Sequence, residues 1–370
     1  MCRSKTWNAV GPQAFRRLLG LAVISSFVGC GPSGGTSDFG DVLAEASATG
    51  GSELTQIEGR VVIDGSSTVA PISEAAAEAF EQVFTNVKVT VATSGTGGGF
   101  KRFTKGETDI SDASRPIKNS EFAACREYGV SFIELPIAYD GLSIVVNREN
   151  DFVRQLSVDD LKKIFLREGG AASWKDVSAE WPDLAIKIYA PGTDSGTFDY
   201  FFGDVVAKDE ENEHPRDDMS VSEDDNVLVT GVAGEKGAIG FFGASYYFAN
   251  SNKIKAVPIV NPETGVAVAP TAQTIESGEY APFSRPLFIY VSDQSLKRPE
   301  MKQFIEFYLE NAAHLAEKVD YVSLPEDLYQ RARRNSQDRR TGTHFLTPSL
   351  EKRTGTLAEL YTSENLVDSR

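Results

Sequence analysis

The sequence predicts an α/β fold, and three observations carry that prediction. From Arg60 onward, short β-type runs alternate with helical patterns. Several of those runs pass into helices through small polar residues, as strands of open α/β sheets do. The chain has 370 residues and 41% hydrophobic content, enough to bury a substantial core in two lobes or domains.

Taken in order, the first element is an export signal. A basic stretch ends at Arg16 and Arg17, an apolar run follows from Leu18 to Val28, and small residues precede Cys30. The run is too short to span a bilayer. Phe27-Val28-Gly29-Cys30 resembles a lipobox with Phe27 in place of the usual leucine. Residues 1–29 are therefore expected to be a lipoprotein signal peptide, with Cys30 as the lipidated first residue that anchors the chain to a membrane. A plain secretory signal beside an incidental cysteine is the alternative. Residues 30–58, rich in Gly, Ser, Thr and Asp, read as a flexible tether. If Cys30 is acylated, Cys125 has no intramolecular partner, so it is expected to be a buried small hydrophobe.

The folded part begins with Val61-Val62-Ile63, a helix through Phe80, and the alternating Val87, Val89 and Val91. Ser157 and Asp160 form a capping-box pattern before Leu161. Pro299 opens a helix that places Met301, Phe304 and Tyr308 on one face. The arginine-rich stretch from Arg331 to Arg340 reads as a solvated loop or a basic patch.

Three strand-to-helix junctions share one composition. Val61–Ile63 runs into Gly65-Ser66-Ser67-Thr68, with Pro71 where a first helical turn belongs. Val87–Val91 runs into Ser94-Gly95-Thr96-Gly97, and Ile186–Tyr189 into Asp194-Ser195-Gly196-Thr197. A helix N-terminus carries unpaired N–H groups and partial positive charge, so an oxyanion can sit there without a counter-ion. Each loop alone is also an ordinary N-cap or turn; three at carboxyl ends of strands point to a convergent anion site. Asp109 to Pro116 adds charge. Arg115 offers a fork to a tetrahedral oxyanion. Asp112 accepts only from an anion that bears a proton, which phosphate has and sulfate lacks. A local Asp112–Arg115 ion pair closing a turn is the other reading of that spacing.

These residues resemble the phosphate-contacting segments of the phosphate-binding subunits of phosphate ABC transporters, the PstS family within the type 2 periplasmic binding proteins. The match runs from about Gly59 to Leu324 and takes in Gly237-Ala238-Ile239-Gly240-Phe241 as a later landmark. The resemblance implies two α/β lobes joined by two crossing strands that act as a hinge, expected near Tyr139–Ser143 and Lys253–Val257. Lobe 1 would then hold 59–138 and 254–370, and lobe 2 residues 139–253. It implies high-affinity capture of inorganic phosphate outside the cytoplasm and delivery to the permease subunits of an ABC importer. The implied phosphate contacts are Ser66, Ser67, Thr68, Ser94, Gly95, Asp112, Arg115, Asp194, Ser195, Gly196 and Thr197. Many members carry an arginine four residues before the serine of the third loop. This chain has Pro191 there, which leaves Arg115 to supply the cation. Asp140, at a crossing, is a hinge residue or a ligand.

Other functions are weighed on the same residues. A receptor or sensor for sulfate or molybdate would use the same architecture. A serine hydrolase would use Ser195, but His214, His314 and His344 lie in no motif that orients a base. No metal or cofactor is expected, and Ser94–Lys101 lacks P-loop spacing. With 37 basic against 53 acidic residues the net charge is −16, which argues against nucleic acid.

Overall fold

The computed structural model describes residues 57–168, 170–193, 195–207, 214–222 and 224–370. The signal peptide, Cys30, most of the tether and Asp194 lie outside the described residues. β1 (Gly59–Gly65) pairs in parallel with β2 (Val87–Ala92) on one side and with β3 (Ile110–Ala113) on the other. Between them, α1 (Ala70–Val83) and α2 (Gly95–Phe103) cross on the sheet faces. α1 buries Ile72, Ala76 and Phe80, and Pro71 sits in its first turn, where a missing N–H costs nothing. α2 is held close to β1 because position 99 is glycine. A Cβ there would meet the Gly65 Cα at 2.6 Å and the Asp64 carbonyl at 2.8 Å. That approach buries Phe100 and Phe103 completely, each contributing roughly 2 kcal/mol.

After α3 (Asn119–Tyr128), β4 (Phe132–Asn147) runs for 16 residues, every one of them buried. This strand joins the two halves of the molecule. Its first part pairs antiparallel with β11 (Ser284–Ser292), and its last part pairs with β7 (Ala238–Gly243) and β8 (Ile254–Ala256). The partner changes between Gly141 and Leu142, where the Leu142 N–H reaches across to the Phe283 carbonyl at 3.0 Å. The strand order is β2-β1-β3-β11-β4-β7-β5-β6, with β5 (Lys187–Ala190) and β6 (Ser220–Val221) completing the second half. Two half-sheets on one shared strand make the two-lobed architecture expected from the sequence.

The first expected crossing, Tyr139–Ser143, contains the point where β4 changes partner. The second does not fall at Lys253–Val257: β8 is still paired with the far end of β4, opposite Val145–Asn147. The chain returns at Phe283–Ser284, beside the first crossing. Residues 254–283, including β9 (Ile259–Val260), β10 (Ala267–Val268) and α9 (Ala272–Glu276), therefore precede the return. A local run of apolar residues marks a strand but not its partner, and the partner decides the lobe.

The second half holds α4 (Val158–Phe165), α5 (Trp174–Val177), α6 (Gly196–Asp199), a π-helical turn (Tyr200–Val206), α7 (Asp225–Gly234) and α8 (Ala244–Asn250). The Ser157–Asp160 capping box is formed, with the Asp160 N–H donating to Ser157 Oγ at 3.1 Å. Phe201 stacks on Phe241 with ring centroids 4.0 Å apart and lies parallel to Phe283, so the π-helical turn is packed onto the hinge.

α10 (Pro299–Lys318) buries Met301, Phe304 and Tyr308, as its periodicity predicts. Much of the arginine-rich stretch is helical: α11 (Glu326–Gln337) takes in Arg331, Arg333 and Arg334 and pairs Arg331 with Asp327 at 2.8 Å and Arg333 with Glu326, while Arg339 and Arg340 follow its end. Beyond it the chain returns to the start of β4, with α12 (Leu357–Leu360) near its end. Glu134 is the tie. It accepts from Tyr290 Oη at 2.7 Å, Thr343 Oγ1 at 2.8 Å and the His344 N–H at 2.9 Å, and Tyr361 Oη donates to its carbonyl at 2.8 Å. Cys125 is a free, buried thiol that burial pushes up to about 12, as a small hydrophobe should be.

Candidate anion-binding site

A cleft of about 820 Å³ lies where the two half-sheets meet. Ser66, Ser67 and Thr68 of the first loop line it, as do Gly95, Thr96 and Gly97 of the second, and Ser114 and Arg115 after β3. Across the cleft are Tyr200 and Asp204 of the π-helical turn and Arg285 of β11.

Asp112 occupies the end of β3, opposite Gly65. It is fully buried, and neither carboxylate oxygen has a hydrogen-bond partner among the described residues. The neighbouring Ser73 hydroxyl is shared with Tyr308 Oη at 3.2 Å. Burial is the largest influence on this carboxyl and pushes it up to about 8; the neighbouring Ser73 hydroxyl opposes it, while Asp64 and Glu74 add to it. A buried polar group with no partner costs about 1–3 kcal/mol. Asp112 is not itself among the residues that line the cleft; it lies behind them, two residues before Ser114, and an unpartnered buried carboxyl in such a place is a candidate functional group.

The first loop reaches Asp112 through the backbone: the Ser66 N–H donates to the Asp112 carbonyl at 3.0 Å. Ser66 therefore frames the loop, and the half-buried Ser67 and buried Thr68 follow it into the mouth of α1. The second loop is set by Asp64, whose carboxylate accepts from the Ser94 N–H at 3.0 Å and from Arg102 at 2.6 Å. Burial raises the Asp64 carboxyl, but Arg102 and Ser94 outweigh it and hold the group below the usual range. Ser94 is exposed, its N–H is spent on Asp64, and it does not line the cleft. Gly95 and Thr96 do, with Thr96 Oγ1 accepting from the Ser114 N–H at 3.2 Å.

The third loop abuts the first. Ser195 caps α6 by accepting from the Thr197 N–H at 3.2 Å. Gly196 lies so close to Thr68 that a Cβ would come within 2.9 Å of the Thr68 Cα. The helix then widens into the π-helical turn, a distortion frequent at functional sites, which presents Tyr200 and Asp204 to the cleft.

The cations are placed differently from the sequence reading. Arg115 does not pair with Asp112; it forks onto Glu121 at 2.9 and 2.7 Å from the rim of the cleft. Arg285, which the sequence reading did not single out, sits inside. Nε donates to Asp140 Oδ2 at 3.1 Å, Nη1 to Asp204 Oδ2 at 2.5 Å and Nη2 to Thr68 Oγ1 at 3.0 Å. Its guanidinium also lies 3.5 Å from the centre of the Tyr200 ring. Asp140 is thereby a hinge residue paired with a cation. A signal for this pair was present: each charge lies in a mostly apolar strand, and such residues are almost never buried unless paired.

Ser195 serves as the cap of α6 and is not among the residues that line the cleft. No histidine lines the cleft, and His344 is buried against Glu134 with Nδ1 3.1 Å from Oε2. Among the described residues no cluster of three or more His, Cys, Asp or Glu side chains is placed to hold a metal.

Known proteins share this arrangement. A model of the PBP superfamily domain matches residues 44–312. Protein SphX of Synechococcus elongatus is 47% identical over 83% of this chain and 89% of its own length. The phosphate-binding protein PstS of Staphylococcus haemolyticus is 39% identical over 85% of this chain and 94% of its own. The crystal structure of a possible phosphate-binding protein from Planctomyces limnophilus superposes with a TM-score of 0.73 at 44% identity, covering 76% of this chain and 99% of that one. An ABC-type phosphate transport receptor from Vibrio cholerae superposes with a TM-score of 0.53 at 26% identity, covering 72% and 100%. By fold, cleft and relatedness along most of its length, the chain belongs to the PstS and SphX family of phosphate-binding proteins, within the PBP superfamily.

Proposed function

We propose that this chain captures inorganic phosphate outside the cytoplasm and delivers it to the permease subunits of an ABC importer, held to a membrane by a lipid on Cys30. It binds its ligand without transforming it. The observation that carries the reading is Asp112, a fully buried carboxyl with no hydrogen-bond partner of its own, two residues before Ser114 of the cleft lining and tied through its backbone to the first loop by the Ser66 N–H. A phosphate oxygen bearing a proton satisfies an ionised Asp112, while Thr68 and the N-terminal ends of α1 and α6 take the unprotonated oxygens. Ser67, Gly95, Asp194, Gly196 and Thr197 complete the proposed contact set, with Ser66 and Ser195 as framing and capping residues. The family relation supports the transport role, and opening of the two half-sheets about β4 and β11 supplies the release step.

Calorimetric titration of the soluble mature protein, stripped of anion, with phosphate and separately with sulfate tests this. At pH 9, above the raised Asp112 carboxyl, tight phosphate binding with much weaker sulfate binding is the expected result. Equal affinity for the two would favour a general tetrahedral-oxyanion receptor, a reading that the raised Asp112 carboxyl makes specific, because a neutral acid can donate to sulfate. Binding of neither would overturn the proposal.

A further inference from the structure

Phosphate carries at least one full negative charge near neutral pH, yet the third loop, from Pro191 to Thr197, contains no cationic residue. Four cationic residues line the cleft: Arg115, Lys118, Arg285 and Lys352. Arg115 is committed to Glu121 through both nitrogens of its fork, and Lys118 and Lys352 are exposed at the rim. Arg285 differs in each respect. Its side chain is 13% exposed, it starts the strand at which the chain returns across the hinge, and it touches Thr68 directly.

That contact fixes the polarity of the Thr68 hydroxyl. A guanidinium has only donors, so Thr68 Oγ1 must accept from Nη2 at 3.0 Å. Its own proton is then left to be donated elsewhere, and the residue lines the cleft. An anion oxygen that takes this proton completes a chain of hydrogen bonds from cation to anion, each strengthening the next.

The opposite charges around Arg285 are unequal partners. Asp140 is 2% exposed and directly across the strand pair, so it fixes the guanidinium to the hinge. Asp204 is 60% exposed and sits on the π-helical turn of the opposite half. One guanidinium faces two carboxylates. Releasing Asp204 to water costs less, because its own carboxylate is already largely solvated, whereas releasing Asp140 would leave a buried charge unpaired.

We propose that Arg285 is the cation of the anion site, acting through the Thr68 hydroxyl it orients, and that Asp204 is a placeholder carboxylate which the incoming anion displaces from Nη1. This rests on the phosphate-receptor reading and names the residues that stand in for the missing loop arginine. Because Thr68 and Asp204 belong to opposite halves and Arg285 to the hinge between them, the exchange also reports ligand arrival to both lobes.

The test is calorimetric titration of the anion-stripped mature protein with inorganic phosphate, alongside thermal unfolding of each variant without phosphate. Asp204→Asn keeps the shape of the side chain and removes the competing charge, so it should tighten binding by roughly threefold to tenfold. Arg285→Gln should weaken it by on the order of 100-fold, and Arg285→Lys should recover part of that loss. Thr68→Val should weaken wild-type binding markedly but add little in the Arg285→Gln background, a non-additivity that a purely structural arginine would not produce. If Arg285→Gln does not fold, the sign of the Asp204→Asn effect decides alone. A wild-type protein that binds phosphate, with an Asp204→Asn variant that binds no tighter, overturns this assignment and leaves the receptor reading standing. A wild-type protein that binds no phosphate overturns both.

Discussion

Replacing Asp112 by asparagine removes the charge of the site's most buried group while keeping its shape. Burial lifts this carboxyl from 3.8 to about 8, so between those values the folded chain retains a proton that the unfolded chain has released. Stability therefore falls as pH rises through that window, by about 1.4 kcal/mol per pH unit. The loss is absent below about pH 4 and complete near pH 8, with a ceiling on the order of 5 kcal/mol. Relaxation and water entry bring the expected figure to about half of that. Asparagine cannot ionise, so Asp112→Asn should melt with the wild type near pH 4 and above it at pH 8. At about 2 °C per kcal/mol for a chain of this size, the gap at pH 8 is roughly 5 °C. Selectivity should move in step. Above about pH 8 the wild-type carboxylate accepts only from an anion that bears a proton, so its preference for phosphate over sulfate should grow by up to about tenfold per pH unit. The asparagine variant, a permanent donor, should bind phosphate more weakly, admit sulfate, and show no such growth. Thermal unfolding of the anion-stripped proteins from pH 4 to 8 and paired titrations at pH 7 and 9 give both readouts. A melting gap that is the same at pH 4 and pH 8 would refute the reasoning, because it would mean that Asp112 does not titrate in that window.

Glu134→Ala strands the donors of Tyr290, Thr343 and His344 and should cost about 3 kcal/mol in urea unfolding, with early proteolysis after Thr341 as its local sign. Asp64→Asn releases Arg102 and the Ser94 N–H. It should cost about 2 kcal/mol at pH 7, and since the carboxyl is held below the usual range, the difference should shrink as pH falls below about 4. Gly99→Ala pushes a methyl into the Gly65 Cα and the Asp64 carbonyl, so α2 must lift from β1 at a cost of about 2 kcal/mol or more, seen as a lower denaturation midpoint. Cys30→Ala should move the chain from the membrane fraction to the soluble fraction after cell lysis; retention in the membrane fraction would remove the lipid anchor.

Much of the secondary structure could be read in advance because its signals are local. The alternation of Val87, Val89 and Val91, the position of Pro71 and the Ser157–Asp160 pair all act within a few residues of themselves. Asp112 could be singled out because an acid among small residues in a short strand is chemically conspicuous, and the strand does bury it without a partner. The role of Arg285 was not, since its meaning lies in Thr68, Asp140 and Asp204, three residues that no spacing along the chain connects to it. Arg115 drew attention by proximity to Asp112, yet Glu121, one turn into α3, is the better geometric match. The second crossing was misplaced for a related reason. Ile254–Ala256 is a strand by pattern, and only its register against Val145–Asn147 shows that the chain has not yet returned.

The position of β11 between β3 and β4 sets an order of assembly. Strands β1 to β3 leave the ribosome first, but the neighbour that completes their sheet, and the segment tied down by Glu134, come from the last third of the chain. The intervening half, from the end of β4 through β8, is contiguous and closes on local partners. The amino-terminal lobe must therefore wait, with an unpaired β3 edge, for contacts of long sequence separation, the kind that slows folding and exposes edges to aggregation. Truncations near the C-terminus should then damage the first-made lobe more than the one that precedes the cut in sequence.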